Sequence, residues 1–149
     1  MSSAVKLGHF RKWVFWTGIF NIVAYGPLTC PFSLHIFVNI SNRLGSAVGF
    51  GGTILSLPAN VNNLVMINTL GILVVFLGIL LIIASLDIQN RAWFVFWEGM
   101  IRIIFFLLSL YFIIFKNAGQ ILIVFGIVDL VIGIIYWYYM FTIEGLKIK

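Results

Sequence analysis

Charge is scarce in this sequence. Nine lysines and arginines and four acidic residues make up only 9% of 149 residues, while 62% are hydrophobic. A water-soluble domain of this size must clothe its exterior in polar groups, and so few formal charges cannot do that. Cysteine occurs once, at Cys30, which excludes an internal disulfide and a thiolate metal cluster. Histidine occurs twice, and neither His9 nor His35 falls inside a long apolar run, so a bis-histidine haem within a membrane is excluded. Cys30 and His35 form at best a two-ligand soft-metal pair that would need a partner chain to complete it. There is no phosphate-binding glycine loop, no zinc motif and no Ser/His/Asp set. The formal net charge of +5 comes without a basic run, which removes nucleic acid as a partner.

What the chain has in abundance is oil, with a mean hydropathy of +1.15. Crossing ~30 Å of hydrocarbon at ~1.5 Å per residue takes about 20 apolar residues in a helix, which satisfies its own backbone where no water can. Residues 65–86, 92–115 and 121–143 meet that length. A fourth span over about residues 10–28 is weaker, because Asn21 sits in its middle and Gly26-Pro27 near its end, which predicts a kinked or shortened helix. A cleavable signal peptide is the rival reading of this segment; its apolar core starts late and has no A-x-A exit. The expectation is an all-α, integral membrane four-helix bundle forming a single domain over residues 1–149.

Four spans place both termini on one side. That side, with the turn between spans two and three, carries Lys6, Arg11, Lys12, Arg91, Lys147 and Lys149, against Arg43 and Lys116 on the other. The positive-inside rule then makes the termini cytoplasmic. All five tryptophans (Trp13, Trp16, Trp93, Trp97 and Trp137) fall near the cytoplasmic ends of spans, as an aromatic belt would. Two tight turns make spans two, three and four sequential antiparallel neighbours. The one large connection, residues 29–64, lies outside. In it Phe32, Ile36, Ile40 and Leu44 recur at helical spacing opposite His35, Asn39 and Asn42, behind Pro31. This predicts an amphipathic helix in the interface, although the same residues alternate well enough to allow a strand. The glycine-rich stretch after it reads as an irregular return. Asn39-Ile40-Ser41 is a glycosylation sequon, relevant only on a eukaryotic secretory route.

The sequence also echoes itself. "VFWTG" at residues 14–18 returns as "VFWEG" at 95–99, and Gly71 and Gly78 are spaced like Gly126 and Gly133. Two duplicated helical hairpins in the same orientation would give this pattern, with Thr17 the counterpart of Glu98; chance in a small apolar alphabet would also give it. These glycines, with Gly99, are the expected points of close helix approach.

Three charges lie deep in the spans. Counting at ~1.5 Å per residue puts Glu98 ~9 Å and Arg102 ~15 Å from the cytoplasmic edge, and Asp129 ~12 Å from the outer edge. Each costs roughly 2.5–3.5 kcal/mol at a helix centre, so all three should face the bundle interior and one another. Two acids against one base leave a surplus to be met by a proton, a cation or a wet cavity. The trio is either an interhelical clamp or a midplane site for a proton or small polar ligand. Asn21 and Asn68 are candidates for extending it by hydrogen bonds.

The stretches "SLDIQNRAWFVFWEGMIR" and "FGIVDLVIGIIYWYYM" resemble small four-span proteins of the DoxX-like/BphX-like type, in which a basic residue and Trp-Glu-Gly precede a membrane arginine. The resemblance covers about residues 69–140, implies a compact four-helix membrane bundle and links some members to oxidoreductase systems; residues 29–64 have no counterpart in it. The expected function is a non-catalytic accessory subunit of a larger membrane complex, docked through Phe32, Ile36, Ile40 and Leu44, with other integral membrane subunits and the lipid bilayer as partners. No cofactor is expected beyond bound lipid. The alternative is a stand-alone binder or carrier of a small polar or protonated ligand, using Glu98, Arg102 and Asp129. A complete catalytic set for an enzyme is missing.

Overall fold

The structure, a computed structural model, describes residues 3–143 and Leu146. Of the cations that set the expected topology, Lys147 and Lys149 lie outside the described residues. Five α-helices follow one another: α1 (Ser3–Tyr25), α2 (Pro31–Val48), α3 (Val61–Leu86), α4 (Ile88–Lys116) and α5 (Leu122–Thr142), with a 3-10 turn at Gly26–Thr29. Among the described residues there is no strand, which decides residues 31–44 in favour of helix.

Local chemistry sets the boundaries. Pro27 cannot donate a backbone hydrogen bond, and α1 gives way there to the 3-10 turn. Asn68 Nδ2 donates to the Leu28 carbonyl at 2.7 Å, so a backbone acceptor freed by the break is met from α3. Pro31 opens α2 and Gly49 closes it in the left-handed region at φ 77°. Asn60 caps α3, its side chain accepting from Asn62 N at 2.8 Å. The glycine-rich return is irregular but anchored. Thr53 N donates to the Asn117 carbonyl and Gln120 N to that of Gly51, both at 3.0 Å, while Gly51 N donates to Gln120 Oε1 at 2.8 Å. Gly52, at φ 89°, lets this stretch pass so close to Ala118 O that a Cβ would sit 2.5 Å from it.

Helices α3, α4 and α5 are each long and apolar enough to cross a membrane. The segment through α1 and α2 makes a fourth candidate only when taken together, and it bends by 110° at residue 30. The helices form two intimate pairs, α1 with α3 and α4 with α5, which meet along looser seams, α3/α4 and α1/α5. Spans three and four are therefore the close neighbours expected. Span two packs chiefly on span one, although one residue joins it to span three.

Glycine explains the closeness within each pair. A Cβ on Gly18 would lie 2.6 Å from Gly78 O, and one on Gly78 2.8 Å from Gly18 O. In the other pair a Cβ on Gly133 would lie 2.9 Å from Gly99 O. Backbone meets backbone at both crossings, which no larger residue permits. Gly71 is pressed equally against Leu28, and Gly126 faces Phe106. At one end of the bundle Phe10 of α1 lies edge-on to Tyr136 and stacks on Tyr139 of α5, within a core that includes Val14, Leu81, Ala92 and Val95. The first and last helices thus keep their ends together. Most of the remaining apolar surface is exposed along the outer faces of α3, α4 and α5, as lipid contact requires.

Candidate functional site

The buried charges meet at the junction of the four long helices. Arg102 lies fourteen residues from each end of α4, between Ile88 and Lys116, so its guanidinium is as far from either helix terminus as the helix allows. Glu98 precedes it by four residues, one turn earlier on the same face. Arg102 Nε donates to Glu98 Oε2 at 2.9 Å, and Nη2 lies 2.6 Å from Oε1, a bidentate pair within one helix. Arg102 Nη1 donates to Asp129 Oδ1 of α5. Arg102 Nη2 also donates to Asn21 Oδ1 of α1 at 2.8 Å. Tyr25, the last residue of α1, donates its hydroxyl to Asp129 Oδ2 at 3.1 Å. Glu98, Arg102 and Asp129 are each 5% exposed and Asn21 2%.

The donors and acceptors do not close on themselves. Four of the five Arg102 N–H groups are used, leaving one on Nη1. Asn21 gives its oxygen to Arg102, and among the described residues its Nδ2 has no hydrogen-bond partner. Two carboxylates face one guanidinium, a formal surplus of one negative charge in a low-dielectric setting. Beside these groups lies a cavity of about 130 Å³, lined by Asn21, Tyr25, Val74, Leu77, Glu98, Ile101, Arg102, Phe105 and Asp129. It has room for several waters or one small polar group. Further along α5, toward its C-terminal end, Tyr136 is fully buried and among the described residues its hydroxyl has no hydrogen-bond partner, with Thr17 and Glu98 in its surroundings.

No family model, curated protein or solved structure matches the chain. Its function has to be read from its own residues.

The three charges expected to gather do so, and Asn21 joins them. Asn68 instead serves the helix break 40 residues away in sequence. Tyr25 is absent from the sequence-based set; an aromatic at a span end reads as an interface anchor, and only the break at Gly26 shows that this end stops beside Asp129. Cys30 and His35 go separate ways, Cys30 Sγ lying 2.9 Å from Ser33 Oγ and His35 Nδ1 3.3 Å from Asn39 Nδ2. Among the described residues no group of three or more His, Cys, Asp and Glu side chains is placed to hold a metal ion. On α2, Phe32, Ile36, Ile40 and Leu44 line one exposed stripe, while Leu34, Ser41 and Gly45 turn inward and Phe37 meets Phe125 of α5.

Proposed function

We propose that this protein is a multi-pass membrane binder or carrier of a small polar, positively charged or protonated ligand, held at the four-helix junction by Glu98, Arg102 and Asp129. One observation carries this reading: the surplus carboxylate borders a cavity instead of being sealed by packing. A clamp whose only task is register gains nothing from a second acid or from open volume beside it. With the cationic ends facing the cytoplasm, the cavity lies at hydrocarbon depth and α2 rests at the outer interface, its stripe of Phe32, Ile36, Ile40 and Leu44 toward lipid and its His35 and Asn39 edge toward water.

The same proposal includes an origin by duplication of a helical pair. Aligning "VFWTG" on "VFWEG" and Gly78 on Gly133 superposes the two backbone crossings, Gly18–Gly78 and Gly99–Gly133. It also pairs buried positions with buried positions: Val14 with Val95, Leu81 with Tyr136, Ser85 with Met140. Asn21 becomes the counterpart of Arg102, so the two residues that hydrogen-bond between the halves are equivalents. Kinship with the DoxX-like proteins belongs to this proposal too, since the Trp97-Glu98-Gly99 and Arg102 that carry it supply two of the three charges of the site.

A second reading, an accessory subunit of a larger complex, is favoured by one feature. Helix α1 reaches the apolarity of a span only together with α2, and an exposed face bearing Lys12, Trp13 and Trp16 is one a neighbouring subunit could cover. Two measurements separate the readings. The first is the native mass in mild detergent: a small particle supports the binder and a large assembly supports the subunit. The second is thermal unfolding in nanodiscs against a panel of small cations and zwitterions. A stabilising compound should lose its effect in Glu98→Gln/Asp129→Asn. If no compound stabilises the wild type and the chain migrates with large partners, the binder reading is wrong.

A further inference from the structure

The cavity has a direction. Its floor is Asn21, Glu98, Arg102 and Asp129, but its rim is apolar: Val74 and Leu77 of α3, Ile101 and Phe105 of α4. Ile101 and Phe105 are exposed on the outer face of the bundle, so the mouth is the loosely packed α3/α4 seam. Arg102 at the middle of α4 sets its depth within the hydrocarbon. A water-soluble ligand would have to cross oil to reach such a mouth, whereas a lipid-soluble one is already there.

The opposite seam is the control. Under the pairing of the two halves, the α1/α5 seam is its equivalent, and it too forms a groove, lined by Trp13, Trp16, Thr17, Phe20, Val131 and Ile132 among others. Thr17 there takes the place of Glu98, and Ile132 that of Leu77. Only one of two like seams carries charge at its floor.

From the proposed ligand site we infer that the molecule it takes is an amphiphile entering sideways from the bilayer, its head a protonated amine with an oxygen acceptor close to the nitrogen and its tail lying along the α3/α4 seam. The surplus carboxylate answers the ammonium. Asn21, through Nδ2, and Arg102, through the remaining Nη1 hydrogen, line the cavity with donors that have no partner among the described residues, and a hydroxyl two carbons from the nitrogen gives them an acceptor. The rim requires the tail.

The test uses the full chain in neutral phosphatidylcholine nanodiscs, with empty nanodiscs as the partitioning blank and N-dodecylethanolamine as the probe. Saturable binding is expected, weakened by about tenfold or more in Asp129→Asn, because a buried charge loses its partner. Leu77→Trp, which fills the mouth and leaves the charges alone, should weaken it similarly, so misfolding of the charge variant would not protect the idea. Ethanolamine binding as tightly as its dodecyl derivative would overturn sideways entry while leaving the ligand site standing. Dodecyl sulfate binding as well as the amine would overturn the choice of head, and unchanged binding in both variants would reduce the signal to partitioning. No binding by either amine would sink this inference and the site together.

Discussion

Replacing Arg102 with methionine removes the one base from a site that holds two acids, while keeping an unbranched side chain of similar reach. The structure sets the scale. Arg102 bonds both oxygens of Glu98, one oxygen of Asp129 and the side-chain oxygen of Asn21, and all of these groups are buried. Each carboxylate alone costs roughly 2.5–3.5 kcal/mol at mid-membrane, and stripping one partner from a buried ion pair costs about 3–5 kcal/mol. Arg102→Met should therefore lose ~3–5 kcal/mol, enough to unfold much of a marginally stable protein in detergent. The revealing comparison is the neutral triple variant Arg102→Met/Glu98→Gln/Asp129→Asn. With no bare charge left, it should recover most of that loss, since replacing whole buried ion groups is often neutral or better. Tryptophan-fluorescence unfolding in one mild detergent at one pH reads both, and the five tryptophans supply the signal. The reasoning fails if Arg102→Met costs less than about 1 kcal/mol, the range of a surface pair, or if the triple variant is as damaged as the single one.

Three further outcomes follow from the geometry. Gly78→Ala should cost about 1–3 kcal/mol by overpacking the α1/α3 crossing, where a Cβ meets Gly18 O at 2.8 Å, whereas Gly8→Ala, with open space around it, should be nearly silent in the same unfolding assay. The exposed Cys30 thiol is held below its ordinary pKa by hydrogen bonding with the Ser33 side chain. A larger thiolate fraction near neutral pH means faster alkylation, so Ser33→Ala should shift the alkylation-rate profile to higher pH with the plateau kept. With an impermeant maleimide on intact cells, the same cysteine reports the side on which the α1–α2 corner lies, and labelling only after permeabilisation would invert the proposed orientation.

Much of this architecture is legible in the chain because a bilayer leaves so few solutions. Apolar runs of sufficient length become helices, and an acid four residues before a base becomes a pair within one. Counting residues from span ends brings Asp129 to the depth of Arg102. Asn21 is legible as a candidate hydrogen-bonding extension of the charges, on equal terms with Asn68, and the alignment of "VFWTGIFN" on "VFWEGMIR" places it opposite the arginine. Pairing between helices was harder, because turn length fixes which helices can be adjacent and not which pack closely. The Gly18–Gly78 contact drew α3 onto α1 despite the single-residue link from α3 to α4. Tyr25 was out of reach, since its role depends on where α1 stops, and that stop is a three-dimensional consequence of Pro27, Leu28 and Asn68.

The division of the charges among helices also bears on how the protein is made. The ribosome delivers α1 and α3 with no charge in their apolar cores, and then α4, whose Glu98 and Arg102 already neutralise each other one turn apart. That helix can partition into lipid before its partner exists. Asp129 comes last, on a segment otherwise rich in Ile, Val and Leu, which enters the bilayer with its acid unmatched until the helix rolls onto α4. Assembly of the C-terminal pair is then drawn forward by a charge whose partner waits on α4, so the step that packs the last helix is the step that brings the three charges together.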